Sequence, residues 1–264
     1  MNVFADLRFA ENIKRLALGL EPIDAGRGLR IAHPIKVVFN DSVRGLPRPH
    51  VDRHDSCLHA LLYQPGVADR VTLRFVEGWR RFVPRLISYP ILTVEDAEDL
   101  PYRNRVRRPS LFPGAAYDVA SLHTGIRGRV TRGGLPGRWA RVTARLPGGG
   151  PVVGRAMADD RGEFLLLLHP SASPVGDLAD PLEIRVDVFL PAVAPVPPAA
   201  DVPAQDPLWD LPIEEAQSLN PADPENDPVS AGEVLPSGFT ESAGRDIGIR
   251  LGRMHSETNE FTMP

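Results

Sequence analysis

The stretch Asp159-Asp160-Arg161-Gly162-Glu163-Phe164-Leu165-Leu166-Leu167-Leu168-His169-Pro170 has a counterpart 105 residues earlier, and this duplication restricts the fold more than any other feature. Sliding the chain on itself by that offset sets Val37 on Val142, Asp55 on Asp160, Leu61 on Leu166, Leu62 on Leu167 and Pro65 on Pro170. After a six-residue insertion, Val71, Leu73 and Phe75 fall on Leu182, Ile184 and Val186. A period of about 100 residues suits two small β domains; solenoid units run roughly 20 to 50 residues.

Residue patterning agrees with an all-β chain. Leu16, Leu18 and Leu20 alternate with Ala17 and Gly19, and Val71 to Val76 alternates cleanly. Both read as half-buried strands. Ile35 to Phe39, Leu58 to Tyr63, Arg81 to Tyr89, Ile126 to Thr131, Trp139 to Leu146 and Val152 to Ala158 are further strands, separated by Gly, Pro and Asp turns. Met1 to Asn12 could form a short helix carrying Phe4, Leu7 and Ala10. In the Asp160 to Pro170 stretch, Gly162 can supply a positive φ, and Phe164, Leu166 and Leu168 form one buried row. Leu165 and Leu167 then face the other way and leave an apolar surface for a partner. In the first copy Cys57 stands in place of Gly162, with Leu58 and His59 for Glu163 and Phe164, so a differently built turn is expected there.

Charge divides the chain. Residues 1–190 hold 27 basic and 21 acidic side chains, whereas residues 191–264 hold 3 and 13 together with 12 prolines. Such a C-terminal composition predicts an extended or disordered tail, with a docked arm as the alternative. Leu208, Trp209, Leu211 and Ile213 are its apolar anchors, on its own domains or on a neighbour, and Ile247 to Leu251 could add an edge strand. The resulting division is an arm at 1–13, a β sandwich at 14–93, an exposed linker at 94–118, a second sandwich at 119–190 and a Pro-rich acidic tail at 191–264.

Within the second copy, Gly128-Arg129-Val130, the Gly133 to Gly137 turn, Ala140 to Ala144, Gly154-Arg155-Ala156 and Asp160 to Phe164 resemble carboxypeptidase regulatory-like modules. The resemblance covers about residues 122–190, and 14–90 through the repeat. It implies two tandem Greek-key, transthyretin-like sandwiches, each of about seven antiparallel strands. The two-module arrangement is also similar to proteins that accompany bacterial phage-tail-like contractile injection systems. That similarity implies a cap, baseplate or accessory role.

Side chains with reactive chemistry are few. His50, His54, Cys57 and His59, with Asp52 and Asp55, are candidate metal ligands. They lack the paired spacing of a closed structural zinc site, so a polar loop around a buried Cys57 competes with that reading. Cys57 stands alone and forms no intrachain disulfide. No nucleophile elbow, His-Glu-x-x-His pair, phosphate loop or dinucleotide fingerprint occurs, so no catalytic residue and no cofactor is expected. The run Arg103, Arg105, Arg107 and Arg108 follows Glu95, Asp96, Glu98 and Asp99. In a net acidic chain this predicts a solvated linker, or one paired with the acidic tail, and not a nucleic-acid site. No apolar run reaches the roughly 20 residues of a membrane helix and the N-terminus lacks a signal-peptide core, which predicts a cytoplasmic protein, released within a particle if it belongs to one.

These readings predict a non-enzymatic structural or adaptor subunit whose partners are other protein subunits or further copies of itself. The alternatives are a carbohydrate- or peptide-binding module using Trp79, Trp139 or Trp209 as stacking platforms, and a metal-dependent enzyme at His50, His54 and Cys57.

Overall fold

The computed structural model describes residues 14–40, 49–121, 123–169, 181–196, 206–220, 223, 226–256 and 260–263. The arm at 1–13, with its expected helix, lies outside them, as do Pro170 and the prolines at 197, 198 and 203. The described residues are strands with one short helix, none long and apolar enough to cross a membrane.

The first half runs β1 (Leu16–Leu20), β2 (Ile23–Asp24), β3 (Leu29–Arg30), β4 (Lys36–Phe39), β5 (Val51–Arg53), β6 (His59–Leu62), β7 (Arg70–Val76) and β8 (Arg85–Pro90). A connecting stretch follows, with α1 (Val94–Asp99), a 3-10 turn, β9 (Val106–Arg107) and β10 (Ser110–Leu111). The second half holds β11 (Gly125–Arg132), β12 (Leu135–Pro136), β13 (Arg141–Arg145), β14 (Val152–Met157), β15 (Glu163–Leu167) and β16 (Leu182–Pro191). The C-terminal segment adds β17 (Ile213–Glu215), β18 (Phe239–Ile249), β19 (Met254–His255) and β20 (Glu260–Met263).

Pairing repeats between the halves. Antiparallel β1 and β6 set Leu18 opposite Leu61, as β11 and β15 set Ile126 opposite Leu166. Antiparallel β4 and β7 set Val37 opposite Phe75, as β13 and β16 set Val142 opposite Val188. Phe75 thus matches Val188, two residues beyond the match the sequence suggests. A shift of two preserves the face, which is why the hydrophobic pattern hides it. Each half closes a core between two sheets. One combines β5-β6-β1-β9 with β17-β8-β7-β4 around Leu18, Leu61, Leu73 and Phe75. The other combines β11 and β15 with β14-β13-β16-β18 around Ile126, Val142, Leu166 and Val186.

The duplicated turn is built alike in both copies, contrary to the sequence expectation. His54 N donates to Leu58 O (2.8 Å) and Cys57 N to His54 O (2.9 Å), as Asp159 N donates to Glu163 O (2.8 Å) and Gly162 N to Asp159 O (3.1 Å). Cys57 takes φ 62° where Gly162 takes 75°. At Gly162 a Cβ would collide with the Val130 carbonyl oxygen, so glycine is required there. Cys57 accepts the same left-handed backbone at a cost of about 1–2 kcal/mol.

The row Phe164, Leu166 and Leu168 enters the second core, as its alternation predicts. The opposite row does not await a partner. Leu165 (1% exposed) and Leu167 (8%) are buried in the first core, with Leu167 lying against the Gly26 turn. β15 therefore belongs to both cores and joins the halves.

Two further expectations are corrected. The stretch 94–118 is no exposed linker: β9 pairs parallel with β1, β10 pairs parallel with β2, and Leu111 and Phe112 are buried. Thr93 caps α1 by accepting from Asp96 N at 3.1 Å. Nor are the described parts of 191–264 a free tail, so the docked alternative holds for them. β18 pairs with β16 over its length, as β8 pairs with β7, and β19 and β20 run parallel to β11 as β9 runs parallel to β1. The boundary at residue 190 falls inside the second half. Between β16 and β18 the chain leaves that half, lays β17 parallel on β8, and returns. Ile247 to Ile249 form the end of β18, a much longer strand than the expected Ile247 to Leu251.

Leu165→Ala should cost about 2–5 kcal/mol in urea unfolding because it empties a packed site between the halves; unchanged stability would mean that this row faces outward. At the strained turn, Cys57→Gly should stay within about 1 kcal/mol of wild type, whereas Cys57→Val, branched at Cβ in a left-handed backbone, should lose about 2 kcal/mol more. Equal stabilities would refute the strain.

Candidate functional site

The densest chemistry lies where the first half, the connector, the second half and the C-terminal segment meet. Glu214, in the middle of β17, is 1% exposed. Arg85 on β8 grips its carboxylate with two donors, Nε to Oε1 at 2.8 Å and Nη2 to Oε2 at 2.6 Å. The remaining Arg85 donors reach the carbonyls of Ser110 (2.5 Å), Ser230 (2.7 Å) and Val229 (2.7 Å), so all five N–H groups are used. Arg141 on β13 brings Nη2 to 2.6 Å from Glu214 Oε1, an ion contact outside hydrogen-bond geometry. Phe112 carries both guanidiniums near its ring, at 5.4 and 5.1 Å from the centroid. Burial by itself would raise the Glu214 carboxyl, but Arg141 and Arg85 hold it below its ordinary value. Burial pulls Arg141 down, with Glu214 opposing.

A second buried network adjoins it. Arg107 Nη1 lies 3.3 Å from Asp227 Oδ2, and Ser230 Oγ donates to the same oxygen at 2.6 Å. With its proton committed, Ser230 Oγ accepts from Tyr89 Oη at 3.0 Å. Burial pushes the Tyr89 phenol up from its ordinary value, so it stays protonated. Three of the four arginines in the run thus serve the chain itself, and Arg103 is exposed. Arg105 binds Leu16 O (3.0 Å), Arg107 pairs with the acidic C-terminal segment, and Arg108 pairs with Glu21 (2.9 Å).

The other apolar candidates of the C-terminal segment divide. Leu211 is buried in a cluster with Val83, Leu86, Phe112, Trp139 and Met157, and Leu208 packs against that cluster. Asp210 between them accepts from Arg138 twice at 2.7 Å and from Trp139 Nε1 at 2.8 Å. Trp209 is half-buried, and Ile213, at 46%, remains exposed. Among the tryptophans, Trp139 is 2% exposed and offers no stacking face; Trp79 is 69% exposed. Trp79 carries Arg81 over its ring at 4.7 Å, beside a groove of about 250 Å³ lined in part by Glu77, Arg80, Phe82, Asp160 and Leu208.

The four candidate metal ligands do not converge. His54 Nδ1 accepts from Ser56 N at 3.1 Å, the part that Asp159 Oδ1 plays for Arg161 N at 2.9 Å in the second copy. His59 is buried and its Nε2 donates to Ile35 O at 3.0 Å; burial lowers its pKa. His50 is exposed beside Asp52 at 3.3 Å, and Cys57 Sγ accepts from Arg53 at 3.5 Å. Among the described residues no three His, Cys, Asp or Glu side chains are grouped as metal ligands.

The chain matches no family model and no curated protein. Among solved structures it is similar to a leucine-rich repeat protein from Bacteroides thetaiotaomicron, at 7% identity and a TM-score of 0.22 over 94% of this chain. The match spans 26% of that chain, and a likeness this faint carries no argument.

Glu214→Gln should cost about 3–5 kcal/mol in urea unfolding, because it leaves two buried guanidiniums without a counter-charge; a cost near zero would show the cluster to be incidental. With its folded pKa held below the unfolded value of 4.5, the Glu214 contribution is complete above about pH 4.5 and is lost as pH falls through the lowered value. Urea midpoints measured down the acid range should show this loss in wild type and lack it in Glu214→Gln.

Proposed function

We propose that the chain is a tandem pair of Greek-key, transthyretin-like sandwiches that serves as a non-enzymatic structural or adaptor subunit of a larger assembly, as a cap, baseplate or accessory component of a phage-tail-like contractile particle. The observation that carries this reading is β18. Among the described residues it is an 11-residue strand at the end of its sheet order, paired with β16 on one side, and most of its residues are exposed or half-buried. An open edge of this length is a template on which a partner strand can add. The repeated pairing supports the tandem-sandwich part, and the buried ionic cluster supports a rigid scaffold whose charged side chains are engaged in holding it together. The full-length chain should elute with sheath or tube proteins when particles are purified from cells that make both; a monomer that never travels with a particle counts against the reading.

A carbohydrate-binding role is the second reading, favoured by the exposed Trp79 beside Glu77, Arg80 and Asp160. Glycan binding lost in Trp79→Ala with unchanged stability would support it, and no glycan binding by wild type would remove it.

A further inference from the structure

The two halves differ at one edge. In the first, β17 covers the outer side of β8. It runs parallel, with Ile213, Glu214 and Glu215 beside Leu86, Ile87 and Ser88, and Ala216 N donates to Ser88 O at 2.9 Å. Leu86 and Ser88 are 3% and 4% exposed. The equivalent strand of the second half is β18. Phe75 matches Val188, and these two lie opposite Arg85 and Ala243, so Leu86 falls on Gly244 and Ser88 on Asp246. The core sides agree, since Ile87 and Tyr89 enter one core while Ala243 and Ile247 pack against the other. Backbone groups alternate sides along a strand, so Gly244 and Asp246 aim theirs outward as Leu86 and Ser88 do. Among the described residues no strand meets them there, and both residues are exposed.

Charge says what fits. On the solvent face of this edge one guanidinium, Arg185, is shared by Asp187 at 2.8 Å, Glu241 at 3.6 Å and Asp246 at 3.9 Å. Arg145 adds a second cation 3.9 Å from Asp187, which leaves a surplus of one carboxylate. We propose that the outer edge of β18 takes an extended segment of a partner protein in the parallel mode of β17, with basic side chains beside Gly244 and Asp246 and an apolar one between them. It rests on the reading of β18 as a partner-binding edge and adds the orientation and chemistry of the partner. A second copy does not supply such a segment. Two β18 edges related by a two-fold axis run antiparallel, and a second β17 would set Glu215 against Asp246, a like-charge pair.

The test is an NMR titration of the full chain with a short blocked peptide of alternating lysine and valine. The amides of Gly244 and Asp246 should exchange rapidly with solvent before addition, unlike that of Ser88, and should shift and become protected as the peptide binds. A spin label at the peptide's C-terminus should broaden Ile247 and Gly248 more than Thr240 and Glu241, as parallel pairing requires. A peptide of alternating glutamate and valine should bind about fivefold more weakly, an opposite-charge pair having become a like-charge one. Asp246→Lys, at a side chain 74% exposed, should reverse that preference. Amides already protected in the free chain, no shift at Gly244 and Asp246, broadening at the other end, or indifference to peptide charge each overturns the proposal. Peptide binding by a chain that never travels with a particle would fault the functional reading alone. A chain that travels with particles and ignores the peptide would fault this inference alone.

Discussion

Everything in this chain converges on one carboxylate. Glu214 comes from a segment whose composition is that of an unstructured tail, yet it lies between a guanidinium of the first half and one of the second. Withdrawing a carboxylate and two guanidiniums from water is expensive, and their attraction offsets that cost only when geometry is good and the spare donors are met. Arg85 fulfils the condition with three backbone carbonyls from the connector and the C-terminal segment. The cluster therefore fixes position more than it adds stability. It admits one register of β17 on β8, because a shift by one residue would turn Glu214 away from both arginines.

The two halves are alike in pairing and unlike in how they are completed. The first is closed by β8 and β9, which follow β7 closely in the chain; the second is closed by β18, β19 and β20 after a long excursion across the first half. That excursion puts Leu208, Asp210 and Leu211 over Trp139 and carries Glu214 and Asp227 to their arginines. β15 supplies the other connection, through Leu165 and Leu167. The halves are thus joined by an apolar strand face and by an ionic strap.

Most strands were legible because period-two alternation reports burial directly, as in Val71 to Val76 and in Phe164 to Leu168. The duplication was legible in the same way, and it located the turn at His54 to Leu58 even where the residues differ. What could not be read was the identity of the covering surface. Four consecutive leucines announce two apolar faces, and nothing local says that the second face meets the same chain. Arg141, in the run Arg-Val-Thr-Ala-Arg, resembles any solvent-facing position of a half-buried strand. Its burial comes from Phe112 and Glu214, more than 25 and 70 residues away in sequence. The acidic, Pro-rich segment was misread for a related reason. Composition averages over a stretch in which a few residues, Leu211, Glu214 and Asp227, make all the difference.

The pairing of Val130 with Phe261 joins residues 131 apart, and Arg85 waits 129 residues for Glu214. During synthesis from the N-terminus, neither half can reach its final form when its own strands emerge from the ribosome. Arg85 would lack its counter-charge until Glu214 has been made, and β16 would keep an uncovered edge until β18 has followed. Completion of both halves consequently depends on residues far along the chain from the strands they join. A chain interrupted between Pro191 and Phe239 would therefore lose not a tail but the strand that covers β16, and would present an open sheet edge.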